Sequence, residues 1–282
     1  MNHLKEKGMQ LLFLLTACVS ITAVILICIF LLVSGIPAIK EIGAFKFLLG
    51  TDWKPANSLY GIFPMIVGSF YVTAGALLVG VPTGILTAVF MACFCPRNIY
   101  IPLKSAVQLM AGIPSVVYGF FGLVVLVPFV REAFGGRGMS VLTASLLLGL
   151  MILPTIISVS EASIRAVPES YYEGGLSLGA SHERSVFYAV LPAAKSGIFA
   201  GVVLGIGRAV GETMAVMMVA GNQAVIPNSV LSGVRTLTTN IVLEMGYSTD
   251  LHREALIGTA VVLLIFILMI NLSLSLWERR MK

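Results

Sequence analysis

The sequence predicts an all-α integral membrane protein with six transmembrane helices, on three observations. Hydrophobic residues make up 58% of the 282 residues and charged residues only 11%, with a mean hydropathy of +0.99; soluble domains carry about 25% charged residues. Six stretches reach the ~20 mostly apolar residues that a spanning helix needs: roughly 10–34, 63–94, 105–130, 140–160, 196–220 and 255–277. The alternating polar and apolar period of a transmembrane barrel strand is not found.

The first stretch is longer than the ~7–15 apolar residues of a signal peptide, and no convincing small-x-small cleavage site follows. It is expected to remain as an uncleaved helix. The second is too long for one upright span, so it should tilt, bend near Pro82 or extend beyond the bilayer. The third is interrupted at Gly112, Pro114 and Ser115. Broken helices at membrane depth occur where backbone lines a cavity, so this is either a structural kink or a gate. The fourth and sixth are ordinary spans by length.

The fifth stretch carries two charges, Arg208 and Glu212. A charge at the bilayer centre costs at least ~2.5–3.5 kcal/mol on the insertion scale. At i and i+4 the two should share a helical face. Two readings stand: an intrahelical ion pair that only lowers the cost of burial, or a polar site on a pathway. Arg before Glu is the poorer order for helix support, and apolar residues would meet a structural need more cheaply. Gly201, Gly205, Gly207 and Gly211 form two small-x3-small pairs around these charges, a pattern that lets helices approach closely.

Lys and Arg set the orientation. With the N-terminus inside, the cytoplasmic side holds Lys5, Lys7, Arg97, Lys104, Arg165, Arg184, Lys195, Arg279, Arg280 and Lys282; the outer side holds Lys40, Lys46, Lys54, Arg131, Arg137, Arg235 and Arg253. The bias places both termini in the cytoplasm. The chain divides into an N-terminal helix with its outer loop, residues 1–60, and a core of residues 61–282. In the outer loop 35–62, Trp53, Pro55 and Tyr60 suit an interfacial or packed segment.

Several chemistries are excluded. No Gly-Lys-Ser/Thr occurs, so there is no nucleotide-binding phosphate loop. Cys18, Cys28, Cys93 and Cys95 and the scattered His3, His182 and His252 make no metal-ligand cluster. The cysteines are read as free thiols serving as small apolar residues. No cofactor is expected on this chain.

The long inner loop, residues 161–195, is not disordered in composition, for it holds Val167, Tyr171, Tyr172, Leu176, Leu178, Val186, Phe187, Val190 and Leu191. Pro168 and Glu169 suit the start of a short helix. Gly179 can end it in a left-handed conformation, and Ser181 can cap a second one. The pair should form a protrusion that offers apolar side chains to a partner.

This loop resembles the coupling loop of permease subunits of bacterial ABC importers. The family pattern Glu-Ala-Ala-x3-Gly-x9-Ile-x-Leu-Pro stands here as Glu173, Gly174, Gly175, Gly179, Ala189, Leu191 and Pro192, spacing intact, with Gly for both Ala and Ala for Ile. The segments Ala111-Gly-Ile-Pro-Ser-Val-Val-Tyr-Gly-Phe-Phe-Gly122 and Gly207-Arg-Ala-Val-Gly-Glu-Thr-Met-Ala215, with Trp53 and the Tyr60-to-Phe70 entry to the second span, are similar to phosphate importer permeases of the PstC type over essentially the whole chain. The resemblance implies a type I importer permease (MetI-like) fold and a non-catalytic subunit in the bacterial inner membrane. It implies as partners a PstA-type permease, a PstB-type ATPase dimer that binds ATP and Mg, and an extracytoplasmic PstS-type phosphate-binding protein. Glu173, Gly174, Gly175, Gly179, Leu191 and Pro192 would couple to the ATPase, and Arg208 and Glu212 would meet substrate. Arg presents a planar fork matched to oxyanions, and Glu212 could accept a proton from phosphate, which sulfate lacks. A permease for sulfate or molybdate is the alternative within transport. An intramembrane enzyme on lipid phosphates would need a fuller cluster of acid, base and nucleophile.

Overall fold

The computed structural model describes the backbone of Asn2–Met281 and side chains from Glu6 to Leu276. The side chains of Lys5, Arg279 and Arg280, and the whole of Lys282, lie outside the described residues, so the terminal part of the orientation argument does too. Among the described residues six helical segments are long and apolar enough to cross a membrane: Glu6–Ile42, Phe63–Phe94, Ser115–Phe134, Val141–Arg165, His182–Gly211 and Asp250–Leu276.

Helix α1 (Asn2–Ile42) leads into a short helix α2 (Ala44–Leu49) and a small hairpin, β1 (Trp53–Lys54) paired antiparallel with β2 (Leu59–Tyr60). Helix α3 (Phe63–Val89) follows and ends in a π turn, Phe90–Phe94. The expected second span thus runs its full length as one element, continuing through Pro82. At 1.5 Å per residue, 32 residues reach roughly 48 Å, beyond the ~30 Å hydrocarbon core.

The third span is corrected. Residues 105–112 belong to a separate helix, α4 (Arg97–Gly112), and the crossing helix starts only at Ser115 as α5 (Ser115–Phe121), a π turn (Gly122–Leu126) and α6 (Val127–Phe134). Pro114 explains the break: its ring biases the preceding residue away from helix, and Ile113 is extended at φ −70°, ψ 125°.

Helix α7 (Val141–Arg165) is the centre of the molecule. Ser140 caps it by accepting from the Thr143 N–H. Its Leu147, Leu148, Met151, Ile152 and Ile156 are fully buried against Val72 and Ala76 of α3 and Ala209 of α10. After α8 (Glu169–Ser177), the short α9 (His182–Ser185) passes through a π turn (Val186–Val190) into α10 (Leu191–Gly211). The second helix of the inner loop is therefore the start of the fifth span, not a separate unit, and that span begins at His182 instead of 196. Each of the three π turns ends two residues before a proline (Pro96, Pro128, Pro192). A proline lacks the N–H that would continue the ordinary ladder and its ring crowds the carbonyl four residues back.

Beyond α10 come α11 (Met214–Val219), α12 (Leu237–Met245) and α13 (Asp250–Met281). Helix α1 packs along α13 near its C-terminal end, where Gly35 and Ala38 are buried. The segment after α1 is packed. Glu244, 7% exposed, accepts from Trp53 Nε1 at 2.8 Å and Arg235 Nη1 at 2.6 Å, with His252 Nε2 at 2.9 Å. This cluster ties the hairpin to α12 and α13. Sequence reading used Arg235 only as an orientation charge.

Candidate functional site

Residues 166–185 fold as helix α8 packed against α9, the first turn of the fifth span. Pro168 stands at the N-cap, one position ahead of the expected first turn, and Glu169 opens α8. Gly179 lies at φ +80°, the left-handed conformation expected of it. Ser181 caps α9 by accepting from the Arg184 N–H. Gly175 sits where α8 crosses α9: a Cβ there would lie 2.6 Å from Ser185 Oγ. Gly174, by contrast, faces open space. Leu178 at the tip is 91% exposed, and Tyr171 is also exposed. His182 anchors the pair, with Nδ1 2.8 Å from the Tyr172 hydroxyl and Nε2 3.1 Å from the Cys93 carbonyl oxygen. Leu191 and Pro192 lie in the first turn of α10 rather than on the α8–α9 pair.

Residues 175–179 also spell Gly-x-Ser-x-Gly, the pattern of a hydrolase nucleophile elbow. That elbow is a strand-to-helix turn. Here Ser177 ends α8 and donates to the Glu173 carbonyl at 2.8 Å, so the context of a nucleophile is missing.

Arg208 and Glu212 do not share a helix. Helix α10 ends at Gly211, and Glu212 is extended at φ −69°, ψ 130°. Its Oε1 accepts from the Thr213 and Ala215 N–H groups, both at 3.1 Å. Glu212 thereby holds the start of α11, where an acidic group also meets the positive helix end. Its carbonyl accepts from Thr238 Oγ1 at 3.1 Å, tying the break to α12. The intrahelical ion pair is not formed, and among the described residues Arg208 makes no hydrogen bond or ion pair. The i, i+4 spacing misled because it assumed continuous helix through Gly211.

The four glycines divide likewise. Gly201 and Gly205 pack on α7, where a Cβ would lie 3.1 Å from Ser160 Oγ and 2.9 Å from Ile156 Cγ1. Gly207 and Gly211 have nothing within 4 Å. They are exposed beside the half-exposed Arg208. Gly112 and Pro114 are exposed too, and the Tyr118 hydroxyl bridges this second break by donating to the Met110 carbonyl at 3.0 Å. Helix α5 packs on α11. The fold therefore brings the two helix breaks into one region. A crevice lined by Ser69, Thr73, Glu212, Thr236 and Thr238 measures only about 10 Å³, room for about one water.

The family model for the inner membrane component of binding-protein-dependent transport systems matches residues 80–282. The chain belongs to that family. A probable ABC transporter permease, YqgH of Bacillus subtilis, is 40% identical over 92% of this chain and 88% of its own length. The phosphate transport system permease PstC of Mesorhizobium japonicum is 33% identical, covering 80% and 76%, and PstC of Pasteurella multocida is 31% identical, covering 97% and 92%. Among solved structures, a chain of the MetNI methionine ABC transporter superposes with a TM-score of 0.60 at 20% identity, covering 82% of this chain and all of that one. A chain of a bacterial alginate ABC transporter gives 0.60 at 18%, covering 94% of each. The fold is thus that of type I ABC importer permeases, in a multi-pass membrane protein.

The permease also holds a charged node that sequence reading passed over. Glu161, in the last turns of α7, is 1% exposed. It accepts from Tyr100 Oη at 2.6 Å, from Arg165 Nε at 2.9 Å, and from Lys104 Nζ. Arg165 also donates to the Met91 carbonyl at 2.9 Å and lies over the Tyr100 ring. Lys104 and Arg165 entered the sequence reading only as orientation charges. The signal available was an acidic residue four before a basic one, Glu161 and Arg165, at the end of an apolar run.

Proposed function

We propose that this permease forms one half of the pathway of an ATP-driven inorganic phosphate importer. The observation that carries the reading is Arg208. Among the described residues it makes no hydrogen bond or ion pair, and it lies half-exposed in a membrane-length helix beside the exposed Gly207 and Gly211. A guanidinium with five free donors matches a tetrahedral oxyanion. The relatives named as phosphate transport permeases favour phosphate among the oxyanions. The crevice beside Glu212 is too small for the anion, so the substrate would pass along the open face, closed by a second, homologous permease. Exposed apolar side chains on the α8–α9 pair suit docking to a cytoplasmic ATPase dimer, which would bind ATP and Mg. A phosphate-binding protein would deliver the anion from outside.

Two measurements test this. The assembled transporter in proteoliposomes should take up labelled phosphate, and its ATP hydrolysis should rise with phosphate-loaded binding protein. Uptake of sulfate or molybdate instead would replace the substrate assignment. Orientation has its own test. Both termini should be cytoplasmic, so single cysteines in residues 221–254 should react with an impermeant reagent from outside, and those in 161–195 should not. The reverse pattern overturns the orientation and the ATPase docking together.

A further inference from the structure

We propose that Glu161 is the pivot that makes helix α4, and with it the break at Gly112–Pro114, move with the coupling helices α8 and α9. The proposal rests on the reading of α8–α9 as the ATPase docking element.

Helix α4 is lightly held. Val107 is its one buried residue, packed with Met91 and Ile157, and Tyr100 and Leu103 join that cluster only partly buried. Against that small apolar contact stands the charged node, in which Tyr100 and Lys104 of α4 both bond to Glu161 of α7. A carboxylate 1% exposed cannot fall back on water if it loses these partners, so separating α4 from α7 is strongly disfavoured.

The same node reaches the α8–α9 pair by two routes. Arg165 bonds Glu161 and the Met91 carbonyl, and only Ala166, Val167 and Pro168 separate it from α8. His182 of α9 meets the Cys93 carbonyl in the same π turn, two residues along from Met91. At its other end, α4 runs from Lys104 to Gly112, about 12 Å at 1.5 Å per residue. There the Tyr118–Met110 bond spans the break, and α5 beyond it packs on α11. A displacement of the α8–α9 pair is therefore delivered to α4 through charge and hydrogen bonds. The apolar contact of Val107 and the partly buried Leu103 carries no such directional bond.

The test uses the complete transporter with its ATPase. Lys104→Met keeps an unbranched, mostly apolar stem and removes the ammonium; Lys104→Arg keeps the charge. Hydrogen–deuterium exchange of peptides covering 97–112 is compared with and without a non-hydrolysable ATP analogue. Wild type and Lys104→Arg should change exchange on nucleotide binding. Lys104→Met should lose that response, and in proteoliposomes its transport per ATP hydrolysed should fall at least fivefold. A purely structural role would lower abundance and scale transport and hydrolysis together, leaving their ratio unchanged. A retained exchange response in Lys104→Met, an unchanged ratio, or no nucleotide response of α4 in wild type overturns the proposal. The exchange measurement needs no substrate, so absence of phosphate uptake in wild type would refute the phosphate reading separately.

Discussion

Arg208→Leu should leave the permease at normal abundance in the membrane and slow uptake of labelled phosphate by the assembled transporter roughly ten- to a hundredfold. The two halves of this expectation have separate causes. Arg208 has no hydrogen bond or ion pair among the described residues, so leucine breaks none there. It also removes a charge from a membrane-length helix, a change that favours insertion. Hydrogen bonds to charged groups contribute about 1.5–3 kcal/mol, so losing the anion's partner should cost roughly ten- to a hundredfold in rate. Arg208→Lys keeps the charge but not the planar fork and should fall between. Glu212→Gln is the companion variant. Its amide oxygen can still accept from the Thr213 and Ala215 N–H groups, so the start of α11 should survive with a loss of ~0.3–1 kcal/mol from the charge. If the carboxylate accepts a proton from phosphate, this variant should lose phosphate uptake and become more sensitive to competing sulfate. Near-normal uptake by Arg208→Leu would end the assignment of this residue to the pathway.

The fold was legible where hydrophobicity alone decides it. The six spans follow from apolar length, and residues 63–94 match an observed helix from end to end. Legibility failed where proline or a cap sets a boundary. Pro114 was seen, but helix α4 before it was merged with α5 because residues 105–112 are apolar enough to read as membrane. The break at Glu212 was hidden for the opposite reason: Gly211-Glu212-Thr213 contains no proline, and glycine inside a membrane helix usually signals packing. Only the side-chain cap onto Thr213 and Ala215 reveals it. The local chemistry of the inner loop was legible because Gly179 and Ser181 act on their immediate neighbours. The Glu161 and Glu244 clusters were not. Their partners lie 57 to 61 residues away for Lys104 and Tyr100, and 191 for Trp53, and no spacing rule reports such pairs. A basic residue counted for orientation can equally be a buried partner, as Lys104, Arg165 and Arg235 are.

Gly179→Val should permit insertion and abolish coupled uptake, whereas Gly174→Ala five residues earlier should change neither. The contrast separates backbone conformation from space. Neither glycine has an atom within 4 Å of where a Cβ would stand, so a steric account predicts that both substitutions are harmless. Gly179, however, sits at φ +80°, where a β-branched side chain is a genuine outlier and strain is of order 1–3 kcal/mol. The chain relieves that strain by turning the Leu178–Ala180 corner, which moves α8 relative to α9. The spanning helices are untouched, so abundance should hold while uptake falls and the ATPase binds or hydrolyses independently of substrate delivery. Gly174 is within α8 in ordinary helical conformation, where alanine is favoured over glycine by roughly 0.5–1 kcal/mol. It should be neutral or slightly stabilising. Measuring membrane abundance, ATPase co-purification and labelled-phosphate uptake on both variants decides the matter. Wild-type uptake by Gly179→Val would reduce Gly179 to an ordinary loop glycine, and loss of uptake by Gly174→Ala would show that the ATPase contacts the face of α8 on which Gly174 lies.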